Sequence, residues 1–238
     1  MIKLFKTVLI MTSLATSAII NAQLKTELNP KEKAIVSIAV FAGNGDLEKL
    51  KKELNGGLDS GLTVSQIKEE LIHIYAYAGF PRSLQGLQTF MTVLDERKSK
   101  NITDRPGREA SPVKKESEKY ARGKAILQEL TGIQEKNPKS GYAAFAPTIE
   151  IFLKEHLFAD IFERDILTYA ERELVTISVL SSIGGVEPML ASHFKICFHL
   201  GFTEKQLQHF LEIIQEKIGK KEAASAQKVL NEVINSKK

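Results

Sequence analysis

The chain has 238 residues, 43% of them hydrophobic, enough for one large core or two small ones. Its formal charge of +4 falls to +2 without Lys3 and Lys6. No basic stripe is interleaved with aromatics, so a nucleic-acid partner is not expected. Its single cysteine, Cys197, excludes an internal disulfide and a Cys-x-x-Cys redox pair.

In chain order, residues 1–22 read as a secretory signal. Lys3 and Lys6 form a basic start, and Val8–Ile20 is apolar but diluted by Thr and Ser. Ala22 then places a small residue before Gln23. This stretch is too short and too diluted for a confident membrane span. The protein is therefore expected to be exported, periplasmic or secreted, with no stable membrane span after cleavage.

The rest contains an internal repeat. Leu28–Ile67 reads LNPKEKAIVSIAVFAGNGDLEKLKKELNGGLDSGLTVSQI, and Leu167–Leu207 reads LTYAERELVTISVLSSIGGVEPMLASHFKICFHLGFTEKQL. Ile35 matches Leu174 at an offset of 139 and Gly61 matches Gly201 at 140, so one residue is inserted between. Such self-similarity marks a duplicated structural unit. The expected organisation is a signal at 1–22, a first repeat at 23–96, a polar linker at 97–118 and a second repeat at 119–238.

The periodicity is helical almost throughout. Ala34, Ile35, Ile38, Ala39 and Ala42 recur at helical spacing, and Leu174, Ile177, Ser178 and Ser181 repeat the pattern. Val64–Tyr77, Leu84–Leu94, Lys119–Leu130, Ile149–Phe162 and Gln206–Ile218 carry i, i+3, i+4 apolar spacing. Asn29-Pro30-Lys31-Glu32, Thr63 with Gln66, Thr168 with Glu171 and Thr203 with Gln206 are helix starts with capping boxes. Glu187-Pro188 marks another start. Each copy reads as helix, turn, helix, glycine stop, threonine start, helix. The expected fold is all-α: two tandem copies of an antiparallel helical unit.

Candidate chemistry falls in three places. His193 lies in the second turn of the helix opened by Pro188, with Glu187 just before it; copy one has Glu53 there, so the repeat alone does not demand a histidine. Histidine beside a carboxylate exchanges protons near neutral pH; a structural histidine satisfying a buried partner is the other reading. Glu171 and Arg172 open the second repeat's long helix. Glu171 has a complete explanation as a capping acid. Arg172, matched by Lys33, binds a substrate carboxylate, pairs with an acid or is an exposed helix charge. Tyr75-Ala76-Tyr77-Ala78-Gly79-Phe80-Pro81-Arg82 is a helix junction at which Tyr77 and Arg82 either line a pocket for a small anion or are ordinary core and surface side chains. Cys197, in FKICFHL, reads as a buried structural thiol.

These residues together resemble the carboxymuconolactone decarboxylase family. The resemblance rests on A-E-R-E-L-V-T-I-S at 170–178, G-V-E-P-M-L-A-S-H at 185–193 and G-F-T-E-K-Q-L at 201–207. In the first copy it rests on G-L-T-V-S-Q-I-K-E-E-L at 61–71 and Y-A-G-F-P at 77–81. It implies an all-α fold that assembles as a homo-oligomer, and two chemistries: decarboxylation of a lactone acid, or peroxide reduction of the alkylhydroperoxidase D type. The second needs a Cys-x-x-Cys pair before the histidine, and Ile183–Ser192 contains no cysteine. His193 matches the family's histidine, and Glu187 an acid often found upstream of it. His73 stands where members often carry Gln, so its side chain is expected to face the site.

The expectation is a cofactor-free lyase or proton-transfer enzyme acting on a small carboxylated substrate, a lactone or keto acid. His193, Glu187 and Glu171 are its candidate catalytic groups, and Arg172, Arg82, Tyr77 and His73 its substrate-binding groups. The reading calls for no metal: His193 and His199 do not form an i, i+4 ligand pair. The partners expected are a small anionic organic substrate and further copies of the chain. The alternative is a non-catalytic small-molecule-binding or assembly module of the same fold, or a peroxidase-related protein that has lost its dithiol.

Overall fold

The structure, a computed structural model, describes residues 26–113 and 118–236. The signal expected at 1–22 lies outside these residues. Among the described residues there are helices and no strand. In chain order they are α1 (Pro30–Asn44), α2 (Leu47–Asp59), α3 (Val64–Ser99), α4 (Lys119–Thr131), α5 (Tyr142–Phe145) and α6 (Pro147–Phe152), with a π-helical stretch at Leu153–Phe162. α7 (Tyr169–Ile183), α8 (Glu187–His199), α9 (Glu204–Ile218) and α10 (Lys220–Asn235) follow.

The helix starts are chemically explicit. Asn29 accepts from the Lys31 and Glu32 amides while Glu32 accepts from the Asn29 amide. Thr63 with Gln66, Thr168 with Glu171 and Thr203 with Gln206 close the same reciprocal box. Each box satisfies donors that a helix leaves orphaned at its first turn. α1 and α7 are both 15 residues long, and α2 and α8 both 13.

The junction expected at Gly79 and Pro81 is present, but the chain runs through it as one kinked helix. Gly79 (φ 79, ψ 164) breaks α3 internally and a further helical segment continues to Ser99. Gly219 (φ 108, ψ 175) separates α9 from α10 in the same way. Only glycine enters such backbone freely, and Pro81 fits the first turn beyond the break, where its missing N–H costs nothing. α10 was not anticipated. Its buried positions, Ala223, Ala226, Val229, Leu230 and Val233, are mostly small and set among lysines and glutamates.

α1 and α7 pack on each other at the centre. Ile35, Val36, Ile38, Leu174, Val175 and Ile177 are fully buried. A helix apolar on all sides must be surrounded, and each such aliphatic contributes about 1.5–3 kcal/mol by leaving water. Close approach depends on small residues, since a Cβ at Gly43 would lie 2.7 Å from Ser182 Oγ. Buried Ser178 and Ser181 donate to the carbonyls of Leu174 and Ile177 at 2.6 and 2.7 Å, so no hydroxyl is left unmet there. Across the halves, α3 packs on α7 and α9 packs on α1.

The middle of the chain forms a cover with its own small core of Ile126, Leu130, Phe158, Phe162 and Ile196. α4 lies against the π-helical stretch so closely that a Cβ at Gly123 would collide with the Lys154 carbonyl. Lys119–Asp160 (2.7 Å) and Arg122–Glu163 (3.1 Å) tie the two together. The described part of the polar linker is pinned at its start. Buried Arg97 forks onto Asp104 at 2.9–3.0 Å, and the Val64 and Ser65 amides donate to Arg105 and Pro106 carbonyls. Among the described residues no helix is long and apolar enough to cross a membrane.

Candidate functional site

A polar cluster forms where α7, α8 and the first segment of α3 meet. His193 Nδ1 lies 2.7 Å from Glu173 Oε2. The Glu173 side chain is fully buried, whereas that of His193 retains 17% exposure. The Tyr77 ring stands edge-on to His193 with centroids 5.6 Å apart and lies 5.3 Å from His73. The pair His193–Glu173 therefore has one buried anchor and one face towards solvent, with a phenol from the other half of the chain beside it.

Behind this pair is a second layer. His73 Nε2 is 3.0 Å from Thr176 Oγ1, and its Nδ1 is 3.3 Å from Arg172 Nη1. Arg172 can only donate, so His73 Nδ1 accepts and Nε2–H donates to Thr176, whose hydroxyl passes on to the Arg172 carbonyl. This network assigns a neutral imidazole. Burial, reinforced by the Arg172 charge, holds the His73 pKa well below the usual imidazole value. Burial, reinforced by Glu173, pushes the Tyr77 phenol up, so it stays protonated. Tyr77 Oη, Glu173 Oε1 and Arg172 Nε are buried without a hydrogen-bond partner in the protein, a polar demand concentrated in one place.

Several expected roles change. Glu187 is not the partner of His193. It is exposed at the start of α8, accepts from the Gly185 amide at 3.3 Å and lies 3.4 Å from Ser225 Oγ, on a separate crevice of about 420 Å³. Its own amide, with those neighbours, holds its carboxyl below the usual range. The acid on His193 comes from the preceding helix because α7 and α8 are antiparallel neighbours and Glu173 faces inward. Arg172 is neither an exposed charge nor an open clamp. It is fully buried, donates to Glu69 at 2.7 Å and to the Arg164 carbonyl at 2.6 Å, and carries Phe162 over its guanidinium. Burial lowers its pKa against the opposing pull of Glu69. Arg82 packs its guanidinium against Gly45 at the end of α1, and Tyr77 alone from that turn joins the cluster. Glu171 closes the α7 capping box at 2.7 Å. His73 does face the cluster, from its buried side.

Three contributors escaped the sequence reading: Glu173, Thr176 and Glu69. Glu173 lies inside the A-E-R-E-L motif, and its counterpart in the first copy at the offset of 139 is Ala34. That acid-for-alanine difference was the available signal. Glu69 gave none, because its role depends on α3 crossing α7. Cys197 is buried in the core, and burial pushes its thiol well above the ordinary range, so it lacks the thiolate that redox chemistry needs.

No curated protein matches the chain. The stretch that matches a family model lies in the first half and does not include His193 or Glu173. That stretch is residues 11–90, which contain α1, α2 and most of α3, and they match the model of the Carboxymuconolactone decarboxylase family.

Proposed function

We propose that the protein is a cofactor-free lyase or proton-transfer enzyme acting on a small carboxylated substrate, a lactone or keto acid, at the His193–Glu173 pair. The observation that carries this reading is that pair's geometry. Glu173 is fixed in the core and accepts from His193 Nδ1, which leaves Nε2 as the atom free to meet a substrate at the exposed edge. In decarboxylation the bond to the carboxylate breaks, CO₂ departs, and its electron pair stays on the substrate as a carbanion or dienolate. The imidazolium, stabilised by Glu173 beforehand, then delivers its Nε2 proton to that carbon, and the neutral ring takes a proton back from solvent. Arg172 supplies a fixed positive charge behind the pair without touching the substrate. Tyr77, held as a phenol, is a hydrogen-bond donor for a developing oxyanion.

The test is a panel of lactone acids, keto acids and phenolic acids, scored for CO₂ release and for deuterium exchange by NMR. Turnover should fall about 10²–10⁴-fold in His193→Gln and also fall in Glu173→Gln, with the melting temperature of His193→Gln little changed. A second reading, a non-catalytic binding module, is favoured by Phe162, whose ring lies 5.1 Å from His73 and shields that side of the cluster. It requires saturable binding of a panel member with no exchange and no CO₂.

A further inference from the structure

We propose that the chain carries a second small-molecule site, a crevice of about 330 Å³ in its first half, that takes a zwitterion bearing both a carboxylate and an ammonium group. The crevice lies between α1, α2 and α9, and Lys33, Ser37, Glu53, Gly56 and Lys217 are among its walls. The offset of 139 that matches the α1 and α7 caps, and 140 beyond, sets four of the wall residues on members of the His193 region. Lys33 falls on Arg172, Ser37 on Thr176, Glu53 on His193 and Lys217 on Tyr77. The packing repeats as well. Tyr77 of α3 stands against His193 of α8, and Lys217 of α9 donates to Glu53 of α2 at 3.0 Å.

Two differences make this crevice open. The cover in the second half seats on Ile196 and Leu200, whose counterparts are Gly56 and Ser60, both on the crevice wall. A Cβ at Gly56 would meet no atom within 4 Å, so the missing side chains leave space rather than close packing. The histidine and the phenol are also replaced by a carboxylate and an ammonium. The crevice therefore lacks the group that exchanges protons near neutral pH, and its chemistry is recognition.

The charges select the ligand class. Lys33 and Lys217 face Glu53 and Glu216 around one space. A simple anion entering it meets two carboxylates, and a simple cation meets two ammonium groups. A zwitterion pairs with both signs. Lys217 and Glu53 are only 21% and 18% exposed and hold each other in place, whereas the ion pair of Lys33 to Glu27 spans 3.9 Å at the surface and is weak enough to exchange for a ligand carboxylate.

The experiment is calorimetric titration of the protein with free glutamate, lysine and phenylalanine, with acetate and ethylammonium as single-charge controls. Saturable binding of at least one amino acid is expected, with both controls at least about tenfold weaker. Gly56→Leu should abolish it while keeping or raising the melting temperature, because leucine favours a helix interior over glycine and fills vacant space. Lys33→Met should weaken binding about tenfold, the loss expected for a charge-assisted contact. His193→Gln should leave this binding unchanged, which separates the site from the catalytic reading. No saturable binding of any of the three, undiminished binding to Gly56→Leu, or acetate binding as tightly as the amino acids would each overturn the proposal.

Discussion

Two buried carboxylates illustrate how environment assigns a role. Glu173 has a histidine at 2.7 Å and serves as an anchor. Glu70 is as deeply buried, and among the described residues no cation pairs with it. Burial, with the Glu171 charge adding to it, raises the Glu70 pKa well above its ordinary 4.5. A folded-state pKa above the unfolded one contributes stability that is full below the ordinary value and is lost as pH rises towards the elevated one. Thermal denaturation across pH 4–9, a range of about five units, should therefore show Glu70→Leu gaining on the native chain as pH rises. Its counterpart at the offset of 140 is buried Phe210, so the fold accepts an apolar side chain there. Equal slopes for the two proteins would count against this assignment. Arg172 should behave in the opposite sense. Arg172→Met leaves Glu69 with the Arg164 fork at 2.9–3.0 Å, so it should cost less than the about 3–5 kcal/mol of a buried charge stripped of every partner, read by urea denaturation.

At the scale of elements, helix ends and one close crossing carry the testable content. Thr168→Ala removes the acceptor for the Glu171 amide and should cost about 1 kcal/mol, measurable as a lowered urea midpoint with unchanged slope. Gly123 matters for a different reason. Any Cβ there must displace the Lys154 backbone, so Gly123→Ala should loosen the cover while α1 and α7 stay intact. Hydrogen exchange should accelerate in residues 119–162 and remain slow in the central pair. Uniform acceleration over the whole chain would mean that the cover and the core unfold as one unit.

For the whole molecule, the exposed apolar side chains Phe80, Leu84 and Met91 are spaced along one face of α3, and Phe145 and Phe152 are exposed on the cover. Apolar surface of this kind marks a contact face, and assembly with further copies of the chain is the expected outcome. Light scattering at micromolar concentration should give a multiple of the single-chain mass. Phe80→Ser with Met91→Ser should shift it towards that of one chain. Export is expected too: intact mass of the protein recovered from an expressing host should begin at Gln23.

The sequence by itself determined the local structure. Asn29, Thr63, Thr168 and Thr203 cap helices because their side chains and the acid or amide three residues on interact within one turn, and no distant contact is needed. The all-α class followed from apolar spacing in the same way. His193 and Tyr77 were legible as candidates because the two copies carry different residues there, and His73 because it stands where the resembled family often carries Gln. Which side chains pair is settled instead by how the helices cross. Glu187 is six residues from His193, yet the carboxylate that reaches the ring is Glu173, twenty residues away on an antiparallel helix. Arg172 looked like a surface charge from its place beside a cap, and the crossing of α3 over α7 buried it against Glu69. Periodicity says that a side chain faces inward, but not which side chain of another helix it meets. That depends on crossing angles and on close contacts such as Gly43 against Ser182, which are set by the packing of the whole fold.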